Sequence, residues 1–441
     1  MKRFWLYATL IVLVLGITAF AVACGEETTT STAASTETTG TSTSVAPTDT
    51  TTPPTTAPST DTTVASTEPI KVGHIVDLTG YQQNVGFVMK AGLDYAMKDA
   101  TIGGRPVQVV EADAKSDTAG AVEAAKRLVE SENVIAIIGP TQIAQKEAVA
   151  AYCQEVGVPL IFYNPTPPEL LKDNEWVIAS GGTTVGVTSV IADHVYKDLG
   201  YKNIDIIGGE DTGAKSFFDP FVAHLEALGG TVVQRQDTPY GEDYSVYLAN
   251  VQPADALVTW YGGSAGISML KQYIELGVNA KMPLVGLYHG GMLDPFAMNS
   301  IAEADPATAE KLVGTETVMA WNPDSTDPVN VAYVEGITPT LKYGPPGDDG
   351  YACAVQGAML FLTAANAVGP GVTAGTLRDS LLKTDFVGPE GREYFANGSN
   401  AATKPFYIVK VIKIDIPNVG AVYKYALVKT YEDVPPEGLA E

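Results

Sequence analysis

Short runs rich in β-branched residues alternate with amphipathic stretches of helical period, and the alternation occurs twice. The first set has β-type runs at Ile70–Val76, Val107–Ala112, Val134–Ile138 and Val158–Phe162, separated by helical patterns at Phe87–Asp99, Ala119–Glu130 and Ala144–Glu155. After the Gly/Thr-rich stretch Ser180-Gly181-Gly182-Thr183-Thr184 the rhythm restarts. Helical patterns at Val187–Leu199, Lys215–Leu228 and Ile267–Leu276 now separate β-type runs at Ile204–Ile207, Val232–Asp237, Ala256–Trp260 and Pro283–Val285. Strands spaced by helices pair in parallel through right-handed crossovers, with helices covering both faces of the sheet. The expected fold is therefore α/β, with two doubly wound parallel-sheet lobes. Past Met319, helical patterns return at Val329–Tyr343, Tyr351–Val368 and Gly375–Lys383, followed by strands at Phe406–Lys413 and Ala421–Val428. The chain should thus cross between lobes more than once, giving lobe 1 as 69–184 plus 319–400 and lobe 2 as 185–318 plus 401–435.

The first 68 residues are of a different kind. Lys2 and Arg3 precede an almost unbroken apolar run from Trp5 to Val22, and Ala21-Val22-Ala23 leads into Cys24. Residues 1–23 read as an export signal. Small residues before a cysteine resemble the lipobox of bacterial lipoproteins, with Ala21 in place of the usual leucine. That resemblance implies acylation of Cys24 and attachment to the outer side of a bacterial cell membrane. Cleavage after Ala23 without lipid, or an uncleaved spanning helix, are the other readings of the same letters. Residues 24–68 are dominated by Thr, Ser, Pro and Ala, with Val45 and Val64 the largest apolar residues after Cys24. Such a segment cannot bury enough surface to offset the entropy of ordering it. As a tether of about forty residues it would hold a globule some ~35 Å from its anchor.

Charge and cysteine content exclude several classes. With 27 basic and 51 acidic residues the net charge is −24, and the acids are scattered, so nucleic acid is not an expected partner. Beyond Cys24 only Cys153 and Cys353 remain, each inside an apolar helical pattern. They are expected as separately buried thiols, a single disulfide being the other reading. His74, His194, His224 and His289 show no metal-ligand spacing, and Gly208-Gly209-Glu210-Asp211-Thr212-Gly213 fails the dinucleotide-binding pattern. No metal or cofactor is expected. Gly262-Gly263-Ser264-Ala265-Gly266 does match the G-x-S-x-G elbow of hydrolases. The acid and histidine that such an enzyme needs after its serine would have to fit between Ser264 and His289, an interval too short for that fold. Ser264 is therefore read as a loop hydroxyl, and the chain as a non-enzyme.

Ile70-Lys71-Val72-Gly73, Leu78-Thr79-Gly80, Gly103-Gly104-Arg105-Pro106 and Glu111-Ala112-Asp113 come in the order seen in the branched-chain amino-acid-binding proteins. Ile138-Gly139-Pro140, Gly157-Val158-Pro159-Leu160-Ile161, Thr166-Pro167-Pro168-Glu169-Leu170 and Phe386-Val387-Gly388-Pro389-Glu390-Gly391 continue the series. The chain thus resembles a substrate-binding protein of an ABC importer, with the type I periplasmic-binding fold. The resemblance implies two lobes joined by a multi-crossover hinge, a small amino-acid-like ligand between them, and an ABC permease as partner. A ligand-sensing subunit of a membrane receptor is the second function that this fold serves.

Ligands of open parallel sheets sit beyond the carboxyl ends of the strands, where Tyr81, Thr141, Gln142, Ile143, Asn164 and Thr166 from the first lobe are expected to line the cleft. Thr212, Ser264 and Tyr288 are expected from the second. The family's resemblance assigns the ligand carboxylate to Thr141, Gln142 and Ile143, with Thr166 downstream, although the family's serine run is absent here. Thr141 as a simple cap of the following helix is the competing reading. The family's ammonium-pairing acid is replaced by Tyr288 in Gly286-Leu287-Tyr288-His289. Glu210, Asp211, Asp348 or Asp349 would have to compensate, and a ligand without an ammonium stays open. Tyr81, Tyr163, Trp260, Tyr261, Tyr288 and Trp321 suggest an aromatic lining, with strand alternation leaving Trp260 or Tyr261 free to face the core.

Overall fold

Residues 68–288, 292–340, 349–396, 398–416 and 420–440 are described in the computed structural model of the protein. The leader, Cys24 and the Thr/Ser/Pro-rich segment lie outside the described residues, as do His289, Asp348, Asn397 and the side chain of Asp349.

The first lobe is built on six strands: β1 (Ile70–Val76), β2 (Thr101–Ile102), β3 (Arg105–Asp113), β4 (Ile137–Ile138), β5 (Leu160–Phe162) and β6 (Val177–Ala179). Their order is β2-β3-β1-β4-β5-β6, and every pairing except the short β2–β3 hairpin is parallel. Between them run α1 (Gln83–Met97), α2 (Thr118–Lys126) and α3 (Ile143–Val156). Both faces of the sheet are covered, and for this reason the strands read as apolar runs rather than as alternating ones. Val72, Val76 and Ile161 pack into one core with Met89 and Leu93 of α1, while Ile75, Leu160 and Phe162 pack into the other with Ala121 of α2 and Val149 of α3. Gly86 lets α1 seat on the end of β1: a Cβ there would fall 1.8 Å from the carbonyl oxygen of Asp77.

The second lobe repeats the plan. After α4 (Thr184–Asp193) come β7 (Asn203–Gly209), α5 (Thr212–Ala227), β8 (Thr231–Thr238), α6 (Ser245–Leu248), β9 (Ala256–Trp260), α7 (Ser264–Glu275), β10 (Leu284–Gly286), α8 (Pro295–Ala304), α9 (Pro306–Lys311) and β11 (Glu316–Met319). The chain then returns to the first lobe with α10 (Pro328–Ile337), α11 (Asp349–Val368), α12 (Ala374–Leu381) and the hairpin β12 (Asp385–Gly388) and β13 (Gly391–Tyr394). It ends in a long antiparallel pair, β14 (Lys404–Ile416) and β15 (Gly420–Val434), that joins the second sheet in the order β15-β14-β11-β10-β9-β7-β8.

Three stretches therefore link the lobes: 180–183, 320–327 and 395–403. The multi-crossover hinge expected from the sequence is present. The helix α11 packs along α1, and Leu360 and Phe361 complete the first lobe's core. Cys153 and Cys353 are buried in the two different cores of that lobe, and no disulfide joins them. Trp321 departs from the expected aromatic lining. It is fully buried in the second crossover and donates its indole N–H to Asn330 at 2.7 Å. Tyr261 also faces a core, with its hydroxyl 2.6 Å from that of Thr238.

Candidate functional site

In an open parallel sheet, a crevice forms where the strand order reverses, because adjacent loops there turn toward opposite faces. In the first sheet the reversal lies between β1 and β4, and in the second between β7 and β9. The loops that leave these strands are Asp77–Gln82 and Gly139–Gln142 on one lobe, and Glu210–Asp211 with Tyr261–Gly263 on the other. They meet. A Cβ built on Gly262 would lie 3.5 Å from the amide nitrogen of Gln82, and one on Gly213 would lie 4.0 Å from Ile143. The loops of the two reversal points thus enclose a candidate site, with backbone of the second lobe brought close by its glycines.

The first-lobe wall is held by a hydrogen-bond network centred on Asp77. Its carboxylate accepts the Ser116 N–H at 2.8 Å, the Gln145 amide at 2.9 Å and the Gln142 amide at 3.1 Å. Gln142 in turn accepts the Tyr81 hydroxyl at 2.5 Å. Ser116 sits in the left-handed region with φ 56° and locks the turn carrying Tyr81, giving its hydroxyl to the Thr79 carbonyl (2.9 Å) and accepting the Gln82 N–H (3.1 Å). Asp113 holds the same turn from below through Leu78 and Thr79. Hydrogen bonds to both loops hold the Asp113 carboxyl below its ordinary pKa against the opposing effect of its desolvation.

The start of α3 is open. Its N-cap residue is Gln142, which makes no side-chain capping bond among the described residues, and Thr141 is not the cap. The Thr141 hydroxyl lies 3.1 Å from that of Tyr163, and the Thr141 carbonyl accepts the Asn164 amide at 3.2 Å. The helices α2, α4 and α5 are capped by Asp117, Thr183 and Asp211. An uncapped helix start presents free N–H groups and a positive dipole end, the arrangement that receives anions. The Asn164 side-chain oxygen is buried without a hydrogen-bond partner among the described residues.

Thr166 lies deeper. Fully buried, its hydroxyl accepts from the Lys146 side-chain nitrogen at 2.9 Å and donates to the Asn164 carbonyl at 3.1 Å, so it props the loop from behind. Lys146 also donates to the carbonyls of Asn164 (3.0 Å) and Pro165 (3.2 Å), and burial holds its pKa well below the ordinary value. The sequence reading missed this residue. Its signal was a lysine in register with Ile143, Val149 and Ala150 on the buried face of α3.

On the second lobe, Asp211 caps α5 through the Ala214 N–H at 3.2 Å and hydrogen bonds with Tyr240, whose phenol oxygen also accepts the Gly262 N–H. Desolvation and then the Asp77 and Asp211 charges, one from each lobe, raise the pKa of the Tyr81 phenol. Asp211, one of the acids considered as substitutes at the ammonium position, is thus placed beside a first-lobe residue. Thr212 and Ser264 are exposed first residues of α5 and α7 at the rim. Tyr288 is buried, stacked on Phe217 at 5.3 Å, and Phe217 stacks on Trp260 at 5.4 Å, forming an aromatic block behind the rim. Phe217, Tyr240 and Ser116 had no motif to mark them in the sequence.

None of the three described histidines hydrogen bonds to Ser264. His194 lies between Asp198 and Glu316, His224 pairs with Asp193, and His74 is buried with neither ring nitrogen hydrogen-bonded among the described residues. Burial, aided by the Lys90 charge, lowers the His74 pKa to about 3, so it is a neutral core residue.

Known proteins share this architecture. An amino acid binding protein of Pseudomonas aeruginosa is 25% identical over 214 residues, 46% of this chain and 56% of that protein, so the chain matches little more than half of that relative's length. The solute binding protein of an ABC transporter from R. palustris, solved in complex with 4-hydroxybenzoate, has a TM-score of 0.72 at 22% identity, covering 84% of this chain and 99% of that one. A branched-chain amino acid transporter substrate binding protein from Streptococcus pneumoniae, solved with isoleucine, has a TM-score of 0.68 at 23% identity, covering 82% and 100%. These structures share the fold. The sequence profile of the periplasmic binding proteins matches residues 69–415, from just before β1 into β14. With this match over most of its length, and with two lobes joined by three crossovers, the chain belongs to the periplasmic binding protein family.

Proposed function

We propose that the protein captures a small carboxylate, an amino acid or an aromatic acid, between its lobes outside the cytoplasm and delivers it to an ABC importer. The observation that carries this reading is the uncapped start of α3 at the reversal point of the first sheet, facing the second lobe. Thr141 and the first N–H groups of α3 would receive the carboxylate, and Asn164 a polar hydrogen of the ligand. Thr166 acts through Lys146 by holding that loop in place. Ligand identities in the related structures, isoleucine in one and 4-hydroxybenzoate in the other, bracket the chemistry. Lobes 69–184 plus 319–400 and 185–318 plus 401–435 would close on the ligand by rotating about the crossovers, the bound state being selected by contacts to both.

Calorimetry with leucine, isoleucine, phenylalanine, benzoate and 4-hydroxybenzoate, each beside its amide, tests the proposal. The acids should bind and the amides should bind at least tenfold more weakly. Equal binding of acid and amide would remove the carboxylate from the α3 start. Thr141→Ala should weaken the bound acid by about 0.5 to 1.5 kcal/mol, or more because the acceptor is charged, without loss of fold. Comparing each amino acid with its deaminated acid then shows whether Asp211 serves an ammonium group.

The same reading places the protein on the membrane through an acylated Cys24, with residues 24–68 as its tether. Cys24→Ser should abolish lipid attachment and move the protein from the membrane fraction to the soluble fraction. Mass spectrometry of a wild-type N-terminus without lipid would refute the anchor.

A further inference from the structure

Glu390, Glu393 and Lys404 form a water-excluded cluster where two crossovers run side by side. Glu393 lies on β13 and Lys404 opens β14 in the second sheet. Between them Tyr394 and Thr403 exchange backbone hydrogen bonds at 2.8 and 3.2 Å. The same stretch is stitched to the first crossover, since Ala179 donates to the Asn400 carbonyl at 2.8 Å and accepts from the Ala402 N–H at 2.9 Å.

Lys404 is ion-paired with Glu390. One oxygen of Glu393 accepts the Ser180 hydroxyl at 2.9 Å and the Gln356 amide at 3.0 Å, and the other is buried with no partner among the described residues. Among the described residues, the titratable groups around it are Lys404 and Tyr407 from β14, Glu390 from the β12–β13 turn, and Cys353 from α11. Tyr407 donates to the Glu390 carbonyl at 3.0 Å, and Cys353 acts on Lys404. Along β13, Arg392 is paired with Asp385 and Tyr394 is turned to Asp433. Among the described residues, the Lys404 ammonium therefore acts on two buried carboxyl groups. Burial, opposed by the Lys404 charge and by the Gln356 and Ser180 donors, raises the Glu393 pKa to about 7.

We propose that Glu393 is a proton-operated element of the hinge. With its proton, the cluster is one ion pair beside a neutral acid, and β13 stays against β14. Without it, a second carboxylate competes for Lys404, and rotation about the crossovers lets that charge reach water. The sign follows from linkage. An acid whose pKa is raised in the compact state favours that state below its water value, and the advantage is lost as pH rises through the raised one. If opening hydrates Glu393 fully, moving the pKa from 4.5 to about 7 corresponds to a change of at most about 300-fold in the open-to-closed ratio.

Small-angle scattering of the purified protein, without added ligand, between pH 5.5 and 8.5 tests this, with wild type, Glu393→Gln and Ser180→Ala compared. The wild-type radius of gyration should grow with a midpoint near the pKa of about 7, and Glu393→Gln should stay compact throughout. Ser180→Ala removes a donor to the charged form and should move the midpoint upward. A flat wild-type profile, or the wild-type midpoint retained in Glu393→Gln, overturns the proposal. If Glu393→Gln does not fold, Ser180→Ala decides: a raised midpoint supports the switch and an unmoved one refutes it.

Discussion

Methionine in place of Lys404 should lower the unfolding free energy by about 3 to 5 kcal/mol at neutral pH, the usual cost of leaving buried charge without its partner. Lys404 is buried, and it is the counter-ion of Glu390 and a charge that also acts on Glu393. Although burial opposes it, these two carboxylates hold the Lys404 ammonium above its ordinary pKa. Guanidinium denaturation followed by tryptophan fluorescence measures the loss. The deficit should be smallest below about pH 5, where both orphaned carboxyl groups take up protons and cease to be charged. Removing Glu390 and Glu393 together with Lys404, in favour of apolar residues of similar volume, should restore most of the stability, as buried ion clusters replaced whole often do. A Lys404→Met protein as stable as wild type at pH 8 would mean the cluster is reached by water.

The second large effect is expected from Lys146→Met. Methionine keeps the volume of the stem beside Phe162, whose ring centre is 4.8 Å from the Lys146 nitrogen, and removes three hydrogen bonds. The Pro165 carbonyl would be left without this donor while the Asn164 carbonyl keeps the Thr166 hydroxyl, and a loss of about 1 to 3 kcal/mol follows for the unsatisfied group. Ligand affinity should fall with it, because the same loop presents Asn164. The pH dependence has a definite sign. Burial holds the amine's pKa well below its ordinary 10.5, so in the interval up to that value the unfolded chain binds a proton that the folded chain does not. Wild-type stability therefore contains a term that rises with pH over this interval, and Lys146→Met should lack it.

Strand–helix rhythm made the two sheets legible, because strands such as β1 and β9 are buried on both faces and read as unbroken apolar runs. The segments that escaped are those in which tertiary contacts outweigh local pattern. β6 is only Val177-Ile178-Ala179, and β11 is Glu316-Thr317-Val318-Met319; both owe their conformation to neighbouring strands. The helix α8 carried a readable start, an Asp294 cap before Pro295, that the periodicity alone did not bring out. The reversal-point loops could be located from strand order, which follows from the fold. The depth of each side chain could not: Thr166 and Tyr288 occupy suitable loops, yet one is engaged by Lys146 and the other is stacked on Phe217. Such distinctions depend on residues far away in sequence.

The lobes are interleaved in the chain, and this bears on how the protein must be made. The first sheet is finished at Ala179, but α11, which packs along α1 on one of its faces, is synthesised only after the second lobe's stretch from α4 to β11 has been read out. The second sheet likewise lacks β14 and β15 until the last residues. During synthesis or translocation, a growing chain would have α1 and the first sheet in hand without α11 to complete the core on that face. Neither half can reach its native core as an N-terminal fragment, so vectorial, lobe-by-lobe folding is closed to this topology. The nascent chain must remain loose until its carboxyl end is free, a state that suits a polypeptide threaded across a membrane before it folds.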